Sequence, residues 1–346
     1  MFESYAEVFG QGDSLRKTFD YTKQKETEII KFFKESEYQE VVFIACGSSY
    51  WLSMSACMTM QEKLGIKCSA VKSGDIVMNP EYFKKAYKKP LVIAPSRSGT
   101  TSETLIAIKL FKDTYDSKVI SIVEYPDSPI LQLSDFVMEI PWANEISVCQ
   151  TRSFSNLYLT CIMFSAIVSG DDAMLSDLDR YISEFVQHAT RSENLINSII
   201  KELPQWKSLV TLGNGKQYGV TIEGAYIAIE MAQFPSNYYG ILEFRHGPIV
   251  MADDSYFVTI FSGGNGKEHE EKMAADTRDK GAKVAVICAE DTFKNVDYCF
   301  SLGRKACPEV VALFGIMIMQ GFAHLKAVDL GIDPDNPKEL VPWITI

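Results

Sequence analysis

Twice along the chain, 166 residues apart, a short β-branched run stops at glycine or serine and gives way to a helical pattern. Val41-Val42-Phe43-Ile44-Ala45 ends near Gly47-Ser48-Ser49, and Ser208-Leu209-Val210-Thr211-Leu212 ends at Gly213-Asn214-Gly215. Leu91-Val92-Ile93-Ala94 leads to Ser96, and Phe257-Val258-Thr259-Ile260-Phe261 leads to Ser262, so Gly47 pairs with Gly213 and Ser96 with Ser262 at one offset. Such runs, closed by turn residues and followed by helix, are strands buried on both faces. Strands alternating with helices require right-handed crossovers and a mainly parallel sheet. Val119–Val123 adds a strand, 136–140 an edge strand, and Val284-Ala285-Val286-Ile287 falls within a residue or so of its place in the second copy. The expected fold is therefore α/β, an internal duplication of one three-layer unit.

Boundaries follow the pattern. Residues 1–34 form an N-terminal helical segment, 35–168 the first domain, 169–205 an amphipathic helical connector, and 206–346 the second domain with a C-terminal tail. A net charge of −11 argues against nucleic acid as a partner. No run approaches the roughly 18 apolar residues of a membrane-spanning helix, and no secretory leader is visible, so a cytoplasmic protein is expected. The eight cysteines form no C-x-x-C pair, which leaves neither a metal site nor a disulfide framework to expect.

The strongest chemical signal is Ser96-Arg97-Ser98-Gly99-Thr100-Thr101-Ser102-Glu103-Thr104. Its hydroxyls and free N–H groups sit where a strand turns into a helix, the end that carries partial positive charge and suits a phosphate. Simple capping by Ser98 or Thr101, with Glu103 completing a capping box, would use one hydroxyl and leave the others unexplained. Gly47-Ser48-Ser49 offers a second wall of the same pocket. His246 follows Glu243-Phe244-Arg245 and precedes the turn formers Gly247-Pro248, which present it on a loop. Glu230 lies among apolar helix neighbours, a setting that raises a carboxyl pKa towards the range useful for proton transfer, although a solvated helix face explains most glutamates. Gly263-Gly264-Asn265-Gly266 lacks the Lys-Ser/Thr ending of a P-loop and reads as the second copy's sharp turn.

Ala45 to Tyr50, Ser96 to Thr101, Asn144-Glu145-Ile146 with Thr151-Arg152-Ser153-Phe154, Glu223-Gly224-Ala225, Glu243 to Pro248 and Asp335-Asn336-Pro337 occur in that order. Together they resemble the double-SIS (sugar isomerase) family, related to the isomerase half of glucosamine-6-phosphate synthase. The resemblance implies two flavodoxin-like SIS domains and a homodimer in which the His246 loop helps complete the neighbouring subunit's site. It implies that Gly47, Ser48, Ser49, Ser96, Arg97, Ser98, Thr101, Gln150 and Arg152 bind the phosphorylated sugar. It also implies that Glu230 shuttles a proton between C1 and C2 while His246 assists ring opening. No cofactor is implied.

Two departures from the synthase narrow the expectation. No glutaminase segment is expected, and Pro342 and Ile227 stand where the synthase has lysines. A proline forms no Schiff base, so amination of fructose 6-phosphate is disfavoured. The remaining Glu/His pair, with Arg97 and Thr151-Arg152-Ser153-Phe154, resembles the ketosamine 6-phosphate deglycases. An amino-sugar phosphate isomerase or deaminase, and a non-catalytic sugar-phosphate sensor, are the alternatives that the same residues leave open.

Overall fold

In the computed structural model, residues 2–203 and 206–340 are described. They fall into two compact units. One comprises Asp13–Glu145 and Arg152–Asp179; the other comprises the residues up to Gly12, Ile146–Thr151 and Arg180–Leu340. The division therefore runs through both helical stretches that the sequence sets apart. The N-terminal segment parts at Gly12, and the expected connector breaks into helices Asp172–Ser183 and Phe185–Glu202, with the division at Asp179.

The first unit is built on five parallel strands: β1 (Glu40–Ala45), β2 (Lys67–Lys72), β3 (Pro90–Ser96), β4 (Val119–Val123) and β5 (Phe136–Glu139). Their order is β2-β1-β3-β4-β5, with Val42 opposite Val92 and Ser96 opposite Val123. β1, β3 and β4 are buried along their whole length, as their apolar runs require. The chain leaves β1 for one edge and returns to β3 to build the other. This switch point lies between β1 and β3, where open α/β sheets form a crevice at the carboxyl ends of their strands. The helix Arg152–Ser169 packs on the helix Gly47–Leu64 and is buried at every position from Ser153 to Ile167.

The second unit repeats the plan with β6 (Ser208–Leu212), β7 (Ser236–Tyr239), β8 (Tyr256–Phe261), β9 (Lys283–Cys288) and β10 (Tyr298–Ser301). The order β10-β9-β8-β6-β7 is the first sheet's order counted from β6. Its core helix, Pro308–Asp329, packs against Tyr218–Ala232. A Cβ at Gly224 would lie 2.9 Å from Met319 Cγ, so glycine there permits the close approach. Contrary to the sequence expectation, Pro308–Asp329 is long and apolar enough to cross a membrane by length and composition. Its apolar window is 94% buried within the protein itself, the signature of a core helix.

Segment 146–151 is pinned within this second unit. The Glu7 carboxylate accepts from Ile146 N at 2.5 Å and from the Ser147 hydroxyl, and the Asp335 carbonyl accepts from Val148 N at 3.0 Å. Gln320 donates to the Thr151 carbonyl at 2.8 Å. The Asp335 carboxylate takes the Glu3 and Ser4 N–H groups at 2.8 Å each, satisfying the first turn of Glu3–Phe9.

Candidate functional site

The hydroxyl loop of the first unit leaves β3 at Ser96 and enters the helix Ser102–Tyr115. Thr101 occupies the N-cap position, yet no side chain caps this helix. Capping by the Thr101 hydroxyl therefore does not explain this loop. Ser96 and Ser98 shape the loop instead: Ser96 Oγ accepts from Gly99 N at 3.0 Å, and Ser98 Oγ accepts from Thr100 N at 3.2 Å and Thr100 Oγ1 at 2.9 Å. Gly99 has φ +64°, and a Cβ on it would lie 2.4 Å from Ser128 Oγ and 2.8 Å from Ile130 Cγ2. Only glycine serves there. An open cavity of about 400 Å³ is lined by Ser98, Thr100 and the segment Tyr125–Pro129.

Across the switch point, Gly47 turns the chain with φ +53° into the helix Gly47–Leu64. Ser48 and Ser49 are buried in its first turn, and among the described residues their hydroxyls make no hydrogen bond. Arg97 is buried too, and its charge faces Glu124, the residue that follows β4. Glu124 is 1% exposed, and neither carboxyl oxygen has a hydrogen-bond partner among the described residues. Burial, with the Glu145 charge adding to it, holds this carboxyl well above the usual range, while Arg97 and Arg152 pull the other way. Glu145 accepts from Ser153 N at 3.0 Å, and Arg152 donates through Nε to the Asn144 carbonyl at 2.8 Å. Arg152 is thus committed to a backbone partner as well as to this charge cluster. The sequence reading missed Glu124, although a glutamate directly after an apolar strand was a visible signal.

In the second unit, Gln150 keeps its amide oxygen buried without a partner among the described residues. Glu230 lies near the end of Tyr218–Ala232 and is half-buried, next to exposed Ile229, so its setting is less apolar than its sequence neighbours suggested. The deeply buried carboxylate of that helix is Glu223, two turns earlier on the same face. Ile227 is fully buried. The family lysine position at Pro342 lies outside the described residues.

His246 ends the short 3-10 turn Glu243–His246 and is exposed. Buried Phe244 anchors that turn, its ring tilted against Tyr239 at 5.4 Å, and Arg245 pairs with Asp276 at 2.6 Å. The imidazole is therefore presented from a fixed base. Exposed Leu242, Val250 and Met251 flank it.

The loop that duplicates Ser96–Thr101 has a different fate. Glu270 of the helix Lys267–Arg278 is buried, and its carboxylate accepts from Ser262 Oγ at 2.7 Å and Gly263 N at 3.3 Å. At the 166-residue offset the first copy has Thr104. The donors of the second loop are thus satisfied internally, which agrees with its reading as a turn.

The SIS domain family model matches residues 36–170 and 202–299. The chain belongs to the SIS domain family. Over 334 residues this SIS chain is 24% identical to a glutamine–fructose-6-phosphate aminotransferase (isomerizing) of Sulfurisphaera tokodaii, covering 96% of the chain and 54% of that protein. The enzyme of the same name from Escherichia coli K12 is 25% identical over 328 residues, covering 90% of the chain and 52% of the relative. The chain thus spans about half the length of the curated relatives it matches. Glucosamine-6-phosphate deaminase of Thermotoga maritima superposes with a TM-score of 0.79 at 24% identity, over 95% of this chain and 100% of that one. Tagatose-6-phosphate ketose/aldose isomerase of Escherichia coli gives 0.82 at 20% identity, over 98% and 95%. These likenesses establish the fold: two parallel five-stranded sheets flanked by helices.

Proposed function

We propose that this SIS chain is a phosphosugar-processing enzyme, a ketosamine 6-phosphate deglycase that converts a fructosyl- or glucosyl-amine 6-phosphate to a hexose 6-phosphate and a free amine. The observation that carries the phosphate half is the uncapped hydroxyl loop, with Ser48 and Ser49 free of hydrogen bonds among the described residues. Ser48, Ser49, Ser96, Ser98 and Thr101 hold the phosphate, Arg97 adds positive charge, and Gln150 and Arg152 complete the polar contacts to the sugar. The observation that favours a deglycase over an aminating enzyme is Ile227, buried where the family has a lysine. A ketosamine already carries nitrogen on C1 and needs no enzyme amine to activate its carbonyl.

In this scheme His246 opens the sugar ring. Glu230 takes the C1 proton of the open ketosamine, giving an enaminol, and returns it to C2, giving an aldimine. Water adds to the aldimine carbon, the C–N bond breaks, and amine and hexose 6-phosphate leave. Phosphate-anchored positioning supplies binding energy remote from the reacting carbons. The exposed apolar side chains beside His246 suit a loop covered by a second copy of the chain, in keeping with a cytoplasmic homodimer that shares this loop.

The test is incubation with synthetic fructosamine 6-phosphates and a coupled readout of glucose 6-phosphate, with glucosamine 6-phosphate as a parallel substrate. Turnover of the ketosamines, reduced about 10²–10⁴-fold in Glu230→Gln, is expected for loss of a proton shuttle. Turnover of glucosamine 6-phosphate alone would reassign the enzyme as an isomerase or deaminase. Binding of both without turnover of either would leave a sensor.

A further inference from the structure

Within the second unit, and on elements none of the catalytic reading uses, a polar cavity of about 180 Å³ is lined by Arg180, Glu184, His188, Arg191, Gly303 and Arg304 among others. Three arginines and one glutamate line it, a local excess of positive charge on a chain whose net charge is −11. Glu184 is divided between two of them, accepting from Arg180 Nε at 2.9 Å and Arg304 Nε at 3.2 Å. Arg191 donates to the Ser301 carbonyl, which ties the helix Phe185–Glu202 to the end of β10.

His188 is the second, independent sign of a ligand. It is 6% exposed, its ring stacks on Tyr181 at 5.9 Å and tilts against Phe314 at 5.5 Å, and so it cannot turn away. Its Nδ1 lies 3.3 Å from Arg191 Nη2, whereas Nε2 is buried without a hydrogen-bond partner, 3.6 Å from Glu184. Burial first, and the neighbouring Arg191 charge next, hold this imidazole below the usual histidine range. The acceptor nearest this buried ring nitrogen, Glu184, lies at 3.6 Å and is shared with two arginines, and an oxyanion in the cavity would give Nε2 a close hydrogen bond.

We propose that this cavity is a binding site for a small tetrahedral oxyanion, inorganic phosphate or the exposed phosphate group of a metabolite, separate from the hydroxyl loop of the first unit. Planar guanidinium forks match phosphate oxygens in pairs and serve such ligands better than lysine does. The volume equals that of about six liquid waters at roughly 30 Å³ each, room for one oxyanion with residual hydration. Glu184 holds two arginines in place and opposes the anion, which sets the affinity low enough for exchange.

Titration calorimetry of the full chain with inorganic phosphate, at ionic strength held constant with chloride, tests this directly. The Ser98→Ala/Thr101→Ala chain removes the hydroxyl-loop contribution and is expected to keep one phosphate per chain. Adding Arg191→Met to it is expected to abolish that remaining heat. Glu184→Gln removes the opposing charge while keeping an acceptor for both arginines, and is expected to tighten the remaining site several-fold, a gain that misfolding cannot produce. Glycerol phosphate in place of inorganic phosphate separates the two sources: binding of both means the site accepts an esterified phosphate, and binding of inorganic phosphate alone means it takes the free ion. The proposal is overturned if the Ser98→Ala/Thr101→Ala chain binds no phosphate, or if Arg191→Met and Glu184→Gln both leave its affinity unchanged. Should the hydroxyl loop bind nothing, that double variant would match the parent chain, and the arginine cavity would still be judged by its own variants.

Discussion

Gly99→Ala separates the geometry of the hydroxyl loop from its mere presence. Two costs are readable at that position. Its φ of +64° places an L-residue in the left-handed region, about 1–2 kcal/mol against alanine. Its Cβ would meet Ser128 Oγ at 2.4 Å, Ser128 Cβ at 2.7 Å and Ile130 Cγ2 at 2.8 Å, overpacking that costs about 1–3 kcal/mol. The sum is about 2–5 kcal/mol of unfolding free energy. Gly47→Ala is the internal control, because it shares a positive φ of +53° but meets nothing within 4 Å; it carries the conformational cost of about 1–2 kcal/mol alone. Part of the Gly99 cost can be relieved by moving the loop. Gly99 donates to Ser96 Oγ and its carbonyl accepts from Ile130 N at 3.1 Å, so that movement displaces Ser96 from its place at the end of β3. Urea unfolding of both variants, with calorimetric titration of a hexose 6-phosphate, is the assay. Gly99→Ala should be the less stable of the two and should lose more phosphate affinity. Equal stability of the two variants, or unchanged affinity in Gly99→Ala, would refute the reasoning.

Two further outcomes follow from buried titratable groups. Glu124 has a folded pKa raised by burial, so the parent chain carries its full stability below the unfolded carboxyl range and loses some as pH rises through the folded value. Glu124→Gln should therefore be more stable than the parent at pH 7.5 and lose that advantage near pH 4.5, as read by urea midpoints; an advantage independent of pH would show the carboxyl to titrate alike in the folded and unfolded chains. His324, buried and within 3.0 Å of Ser4 Oγ, is depressed by burial from 6.5 to about 4. Its neutral form is the folded one, so stability is intact above pH 6.5 and falls as pH drops towards 4, and His324→Asn should flatten that decline in the same measurement.

The strands that the sequence made plain are those buried on both faces, because their apolar β-branched runs have no other explanation. β2, β7 and β10 escaped notice for the opposite reason. Lys67-Cys68-Ser69-Ala70-Val71-Lys72 and Ser236-Asn237-Tyr238-Tyr239 are half-solvated strands at or next to a sheet edge, with no such run to betray them. The position of the hydroxyl loop at a strand end was legible, since Ser96 follows an apolar run directly. Its freedom from capping was not, because whether a hydroxyl caps or stays open depends on angles that composition does not encode. Glu124 and Arg97 become neighbours only once β3 pairs with β4, a contact invisible to any local pattern. Asp335 was legible as a motif residue, and its work in receiving the first helix's N–H groups needed a partner more than three hundred residues away.

The carboxylate of Glu270 occupies the ground that an incoming anion would take in the duplicated loop. One half of an ancient tandem has in effect swallowed its own key. Under the proposed function, the first loop alone is left to grip a phosphate tail, however alike the two halves look, and restoring the threonine found in the first copy is the shortest route to reopening the second.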